Sequence, residues 1–290
     1  MKNLRDLIES NELVILDGGW GTELDLLGLE PGVCPELWNI ENPKAVEQVA
    51  KNYVDIGSQI VLTNTFGGSP LKLKKFGLET KVEEINKAGV QLSKKAAGEL
   101  AYVFASVGPT GEFIEPLGDF TAEGLTQVFE QQIAALIAGG ADAILIETMS
   151  DLDEIECAIA ATRKLDAKIP IAVSLTFEKG INGFATMMGV TPQMACERLS
   201  NVDIIGANCG NGPETMIELI AEIAQCTKLP IWARANAGLP ILENGKTIFP
   251  ASPQEMGAAA PKMVQAGARF IGGCCGTTPQ HIQAMAAALK

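Results

Sequence analysis

The sequence predicts a TIM-type (β/α)8 barrel forming a single domain over residues 1–290. Three observations carry this expectation. Eight short apolar, β-rich runs recur along the chain, a helix-like segment follows each, and the length is about what eight β/α units need. The runs are "VILDGG" (14–19), "QIVLTNTF" (59–66), "VFASVGP" (103–109), "AILIET" (143–148), "IAVSLTF" (171–177), "DIIGANCG" (203–210), "IWARANAG" (231–238) and "FIGGCCG" (270–276). They hardly alternate, as befits parallel strands covered on both faces.

The intervening segments carry helix punctuation. Asn42 and Pro43 suit a cap and first helical position, with Gly57 as the stop. Thr121 opens a segment that ends at Gly139–Gly140, Ser150 opens the next, and Ser252 opens one that ends at Gly267. A doubly wound open sheet is the runner-up. It calls for G-x-G-x-x-G after the first strand, and "GGWGTEL" does not match. No linker, charge block or repeat divides the chain.

Composition excludes several classes. Apolar residues make up 47% and charged residues 20%, enough for a large core. The net charge of −13 disfavours nucleic acid and anionic membranes as partners. No run approaches the roughly 20 apolar residues of a membrane span, and the N-terminus lacks signal-peptide character. A cytoplasmic location is expected. In that setting the seven cysteines point to metal or catalysis wherever they cluster, not to a disulfide framework. With His281 the only histidine, a His-rich metal site or a Ser/His/Asp triad has almost nothing to draw on.

The unusual residues fall at strand C-termini, where such barrels carry their active sites. They are Asp17-Gly18-Gly19-Trp20, Thr63-Asn64-Thr65-Phe66, Glu147-Thr148, Asn208-Cys209, Asn236 and Cys274-Cys275. Cys209 on the sixth run and the pair on the eighth can converge on one rim. Neighbouring strand residues point to opposite faces, so Cys274 and Cys275 share a metal only if the backbone leaves the pleat. Glycines at 272, 273 and 276 make that departure cheap. Three thiolates suit zinc with an open fourth position, the pattern of a catalytic site. The competing reading is small filler in a tight turn. Cys157, Cys196 and Cys226 lie on helical segments and read as packing residues, Cys34 lies in a loop, and His281 reads as a helix-surface or packing residue. Glu147 closes an otherwise apolar strand and needs a cation, a ligand or donors. Asp17 is equally compatible with turn chemistry.

The motifs "DGGWGTEL", "TNTFGG", "IGANCGNGPE", "NAGLP" and "FIGGCCGTTPQHI", in this order over nearly the whole chain, resemble those of the homocysteine S-methyltransferase family. That family includes the homocysteine-binding barrel of cobalamin-dependent methionine synthase. The resemblance implies zinc held by Cys209, Cys274 and Cys275, with the homocysteine sulfur in the fourth position as a thiolate nucleophile for methyl transfer. It implies that Glu147 and Asp17 receive the α-ammonium, that backbone N–H groups of Gly18, Gly19 and the Thr63–Thr65 tip take the carboxylate, and that Asn208 and Asn236 support the rim. Many members have Ala-Met where this chain has Gly19-Trp20, which leaves the identity of the acceptor open.

The methyl donor is not decided by sequence. Only fourteen residues follow Gly276, so no folate-binding barrel is expected after it, and no Asp-x-His-x-x-Gly run is present to ligate cobalamin. Either methylcobalamin arrives on a separate corrinoid protein, or a small donor such as S-methylmethionine binds at the rim, where Trp20, Phe66 and Trp38 are available to face its cation. A long-range repulsion between this acidic chain and an acidic corrinoid partner weighs slightly against the first. Two other readings remain: a methyltransferase acting on another thiol or an amine, and a non-catalytic zinc- or thiol-binding barrel. The second would be expected to saturate its metal with four protein ligands.

Overall fold

The computed structural model describes residues 3–243 and 246–290. Its barrel strands are β1 (Val14–Ile15), β2 (Ile60–Val61), β3 (Tyr102–Val107), β4 (Ala143–Met149), β5 (Ile171–Leu175), β8 (Ile204–Asn208), β9 (Ile231–Ala235) and β12 (Ala268–Gly273). They form one parallel sheet in the order β1-β12-β9-β8-β5-β4-β3-β2. A parallel bridge between Leu16 and Ile60 joins the two ends and closes the barrel. Each of the eight predicted runs therefore supplies one strand. Two antiparallel hairpins were not anticipated, β6 (Glu178–Gly180) with β7 (Gly183–Ala185), and β10 (Ile241–Glu243) with β11 (Lys246–Ile248). They lie in the loops after β5 and β9, on the C-terminal side of the barrel.

The helix signals act locally as expected, with one shift. Helix α4 (Pro43–Asp55) begins after Asn42 and is followed by Gly57 at φ 96°, a left-handed stop. In α7 (Ala122–Ala138) the Thr121 side chain accepts from the Gly124 N–H. Before α11 (Pro253–Ala266), Ser252 and Glu255 form a reciprocal capping box, and Gly267 ends the helix at φ 118°. Helix α8 (Leu152–Leu165) is capped by Asp151 rather than Ser150, because the Asp151 carboxylate reaches the Asp153 N–H.

Period-two alternation along the strands sorts the interior into layers. Phe104, Leu145, Ala172, Ile204, Trp232 and Phe270 belong to one buried apolar cluster inside the barrel. Phe104, Trp232 and Phe270 stack, with ring centroids 5.8 and 6.0 Å apart. Leu7 and Ile8 of α1 (Leu4–Glu9) join the same cluster. Two residues further along β3, β4, β5 and β9 the inward positions become Ser106, Glu147, Ser174 and Arg234, and Asn208 follows four residues after Ile204 on β8, all buried. The barrel is thus apolar through its middle and polar at its mouth. The outward strand residues, such as Val103, Ile144, Val173 and Ile205, pack under the helices in a second, larger cluster. Among the described residues no helix is long and apolar enough to cross a membrane.

Candidate active site

The three cysteines singled out from the sequence meet at the mouth. The sulfurs of Cys209, Cys274 and Cys275 all lie within 4.8 Å of one another, and no fourth His, Cys, Asp or Glu donor joins them among the described residues. Tetrahedral zinc with Zn–S bonds of about 2.3 Å places its sulfurs about 3.8 Å apart. The Cys209 and Cys275 Sγ atoms are 3.9 Å apart, so the triad fits such an ion and leaves one direction open.

Local backbone chemistry brings the sulfurs together. Strand β12 ends at Gly273, so both cysteines of the pair lie beyond the pleat. The Thr277 N–H bonds the Cys274 carbonyl at 3.1 Å, closing a turn with Gly276 at φ 79°. The Cys275 N–H donates to Asn236 Oδ1 at 3.1 Å, and the Gly276 N–H to Thr22 Oγ1 at 2.9 Å. Cys209 follows β8 at φ 61°, a left-handed conformation that costs a non-glycine residue about 1 kcal/mol or more. Thr148 has the same property, at φ 60°, where β4 loses register between Ile146 and Met149. Such irregularities re-aim side chains at sheet ends. Asn208 ties the two places together. Its Oδ1 accepts from the Thr148 N–H at 3.0 Å and the Ser174 hydroxyl at 2.6 Å, while its Nδ2 donates to Thr148 Oγ1 at 2.7 Å and faces Cys274 Sγ at 3.8 Å.

The thiols are electrically coupled. Donation from Cys274, and then from Cys275, holds the Cys209 thiol far below its ordinary range. Donating to Cys209 pushes Cys274 and Cys275 up. Protons are therefore shared unequally among the three sulfurs, and a bound cation would replace them.

Beneath the triad lies a residue that the sequence reading missed. Arg234, only 3% exposed, lies between Asp17 (Nη2 to Oδ1, 3.0 Å) and Glu147 (Nη1 to Oε2, 3.1 Å). It also donates to the carbonyls of Gly273 and Gly18, each at 2.8 Å. Burial works against its charge, but the two carboxylates outweigh that and raise its pKa. A signal for it existed. In "IWARANAG", period two puts Arg234 on the face of Trp232 and opposite in charge to Glu147 of "AILIET", so two lone inward charges in apolar strands predict a pair.

A cavity of about 390 Å³ opens over the triad. Of the residues expected to meet substrate, Thr63 and Glu147 line it with the three cysteines, as do Trp20, Phe66 and Arg234. Glu147 Oε1 accepts from the Ser106 hydroxyl. Burial pushes its carboxyl up to about 7, against the pull of Arg234. Asp17, Gly18, Gly19, Asn208 and Asn236 are not on the wall among the described residues. Asp17 is fully buried, with Oδ2 taken by the Leu62 N–H and the Trp20 indole N–H, both at 2.7 Å, and Oδ1 by Arg234. Burial raises its pKa, opposed by Arg234. The Gly19 N–H donates to Thr277 Oγ1 at 2.9 Å. Asp17 and Gly19 are therefore engaged within the protein, Asp17 directly behind the cavity wall through Trp20, Leu62 and Arg234.

The remaining cysteines stand apart. Cys157, Cys196 and Cys34 are buried, and Cys34 donates to Glu36 Oε2 at 3.3 Å. Both His281 ring nitrogens are occupied, Nδ1 by Thr278 and Nε2 by the Ala251 carbonyl.

A closed parallel barrel with three thiols converging on its C-terminal rim defines a class, a TIM-type barrel with a thiol cluster at its mouth. Residues 14–289 match the homocysteine S-methyltransferase family, and the chain belongs to it. That family defines an enzyme class that transfers a methyl group to the sulfur of homocysteine. The chain is 31% identical to a methionine synthase of Mycobacterium leprae and 32% to one of Mycobacterium tuberculosis. Each match covers 98% of this chain and 25% of the relative, so the chain spans about a quarter of their length. In structure it resembles the metallated form of the homocysteine methyltransferase MmuM from Escherichia coli, with 25% identity, a TM-score of 0.81 and 99% of both chains covered.

Proposed function

We propose that this chain methylates the sulfur of homocysteine at a zinc site held by Cys209, Cys274 and Cys275. The observation that carries this reading is the convergence of three sulfurs within 4.8 Å on the wall of a cavity, with no fourth protein donor among the described residues. The open direction favours catalysis over the non-catalytic zinc-binding alternative, because a metal held for structure alone is usually saturated by the chain. Zinc, when bound, supplies the Lewis acidity that keeps a thiol ionised at neutral pH, where a free thiol of pKa about 8.5 is mostly protonated.

The chain's own residues do the rest. Glu147 faces the cavity and receives the α-ammonium. Asn208 orients Cys274 and, through Thr148, the end of β4. Trp20 and Phe66 wall the cavity and keep water from the reacting sulfur. For the donor, these two aromatic faces support a small cationic methyl donor such as S-methylmethionine. The likeness to methionine synthases supports methylcobalamin presented by a corrinoid domain.

The test is bound zinc in the wild type and in Cys209→Ala, followed by methionine formation from homocysteine with S-methylmethionine or methylcobalamin. About one zinc per chain, lost in the variant together with turnover, is the expected outcome. Zinc indifferent to Cys209→Ala would overturn the reading, and the productive donor decides between the two sources.

A further inference from the structure

Ser174 stands on the inward face of β5, two residues beyond Ala172 of the apolar cluster. It is fully buried and does not line the cavity, so it meets no ligand directly. A buried hydroxyl is unfavourable unless it is paired. Ser174 spends its hydrogen on Asn208 Oδ1, at 2.6 Å, across the neighbouring strand β8.

A side-chain amide has two acceptor lone pairs and two N–H donors. In Asn208 all four are used. Oδ1 accepts from the Thr148 N–H and the Ser174 hydroxyl, while Nδ2 donates to Thr148 Oγ1 and to Cys274 Sγ. The two ends of this amide are not interchangeable. A backbone N–H can only donate, so the atom facing the Thr148 N–H is the oxygen, and the nitrogen then faces the sulfur. Thr148 offers both its N–H and its hydroxyl to this clasp at φ 60°, a conformation that a β-branched residue adopts only at a cost. Turning the amide over would set N–H against N–H at Thr148.

We infer that Ser174 is a positioning residue for the metal site: with Thr148 it pins the Asn208 amide so that an N–H points at the Cys274 sulfur and draws charge from it when that sulfur is ionised. This rests on the reading of the triad as the zinc site. Three cysteinates around a divalent cation leave one excess negative charge, and an acceptor bound as a thiolate adds another. A hydrogen bond from an amide to a thiolate is charge-assisted and offsets part of that excess. Groups that orient a metal ligand and tune its charge typically change metal affinity by roughly 10- to 100-fold when removed.

The experiment loads the wild type, Ser174→Ala and Ser174→Thr with Co²⁺ and reads the thiolate-to-metal charge-transfer band. Zinc affinity is measured by competition with a chelator, and urea unfolding of the metal-free variants reports packing separately. Ser174→Ala is expected to move the band to longer wavelength, because a thiolate held by a weaker hydrogen bond gives up charge more readily. It is also expected to weaken zinc by about tenfold. Ser174→Thr keeps the hydroxyl and is expected to stay near the wild type in both. Once Asn208→Ala has removed the amide, adding Ser174→Ala should move the band no further, since Ser174 acts only through that amide. An unchanged band and zinc affinity in Ser174→Ala, whatever its urea midpoint, would overturn the assignment. So would a shift that Ser174→Thr shares, or additive shifts in the double variant. If the wild type shows no charge-transfer band at all, the metal-site reading itself falls, and the assignment of Ser174 with it.

Discussion

The middle of the barrel and its mouth are built from the same strands, two residues apart, and differ in almost every property. In the middle, Phe104, Trp232 and Phe270 stack in an interior closed to water. At the mouth, the next inward positions carry Ser106, Glu147 and Arg234, with Asn208 one step further on β8, and the chain then turns left-handed at Cys209 and Thr148. The middle gains stability from area buried and contacts made. The mouth holds charges out of water, which is unfavourable unless each is paired, and holds backbone in a strained region. The contrast teaches that stability is drawn from apolar area in the middle and from paired charge at the mouth, a separation of sources along each strand.

The largest expected effect tests that separation from the mouth. Cys209→Ala should abolish metal binding and lower turnover by about 10³-fold or more, while shifting the urea midpoint of the metal-free protein by less than about 1 kcal/mol equivalent. A large loss of metal-free stability would mean that the two regions are coupled. Next comes the middle. Trp232→Ala should cost about 3–5 kcal/mol in urea unfolding and leave the zinc content near one per chain, measured on the folded fraction. Arg234→Met should cost a similar amount, about 3–5 kcal/mol, for a different reason: Asp17 and Glu147 would be left buried without their cation.

A smaller effect concerns pH. Burial raises the Glu147 carboxyl from about 4.5 to about 7, so over that interval the native state binds a proton that the unfolded chain has released. Stability from this group is then present below about 4.5 and is lost as pH rises toward 7. Comparing metal-free wild type with Glu147→Gln across this window should show a shallower decline in the variant. The smallest effect is strain. Metal-free Cys209→Gly should be more stable than Cys209→Ala by about 1 kcal/mol, since glycine alone adopts a φ near 61° without penalty. Equal stabilities would mean that the left-handed turn is relaxed.

Much of this molecule was legible in one dimension. Apolar runs that barely alternate announced buried parallel strands, and the caps at Thr121 and Ser252 marked their helices. The spacing of about 65 residues between Cys209 and the Cys274–Cys275 pair, with glycines around the pair, pointed to three thiols on one rim. These features are local, or follow from placing each strand tip on a known ring. The hairpins β6–β7 and β10–β11 escaped because strands of three residues, mostly exposed apart from Phe184, are too short to impose a period.

What only the tertiary structure decided is who pairs with whom. Asp17, Glu147 and Arg234 come from strands β1, β4 and β9, and no local pattern states that one guanidinium fills the space between two carboxylates. That depends on the barrel closing, on the stagger of its strands and on the exclusion of water. The sequence by itself determined the barrel and the three clustered thiols, because periodicity and strand-end position are properties of the chain. The division of Asp17 from Glu147, one sealed beneath the guanidinium and one open to the cavity, arose only when the fold set depth, since burial and ion pairing are properties of space.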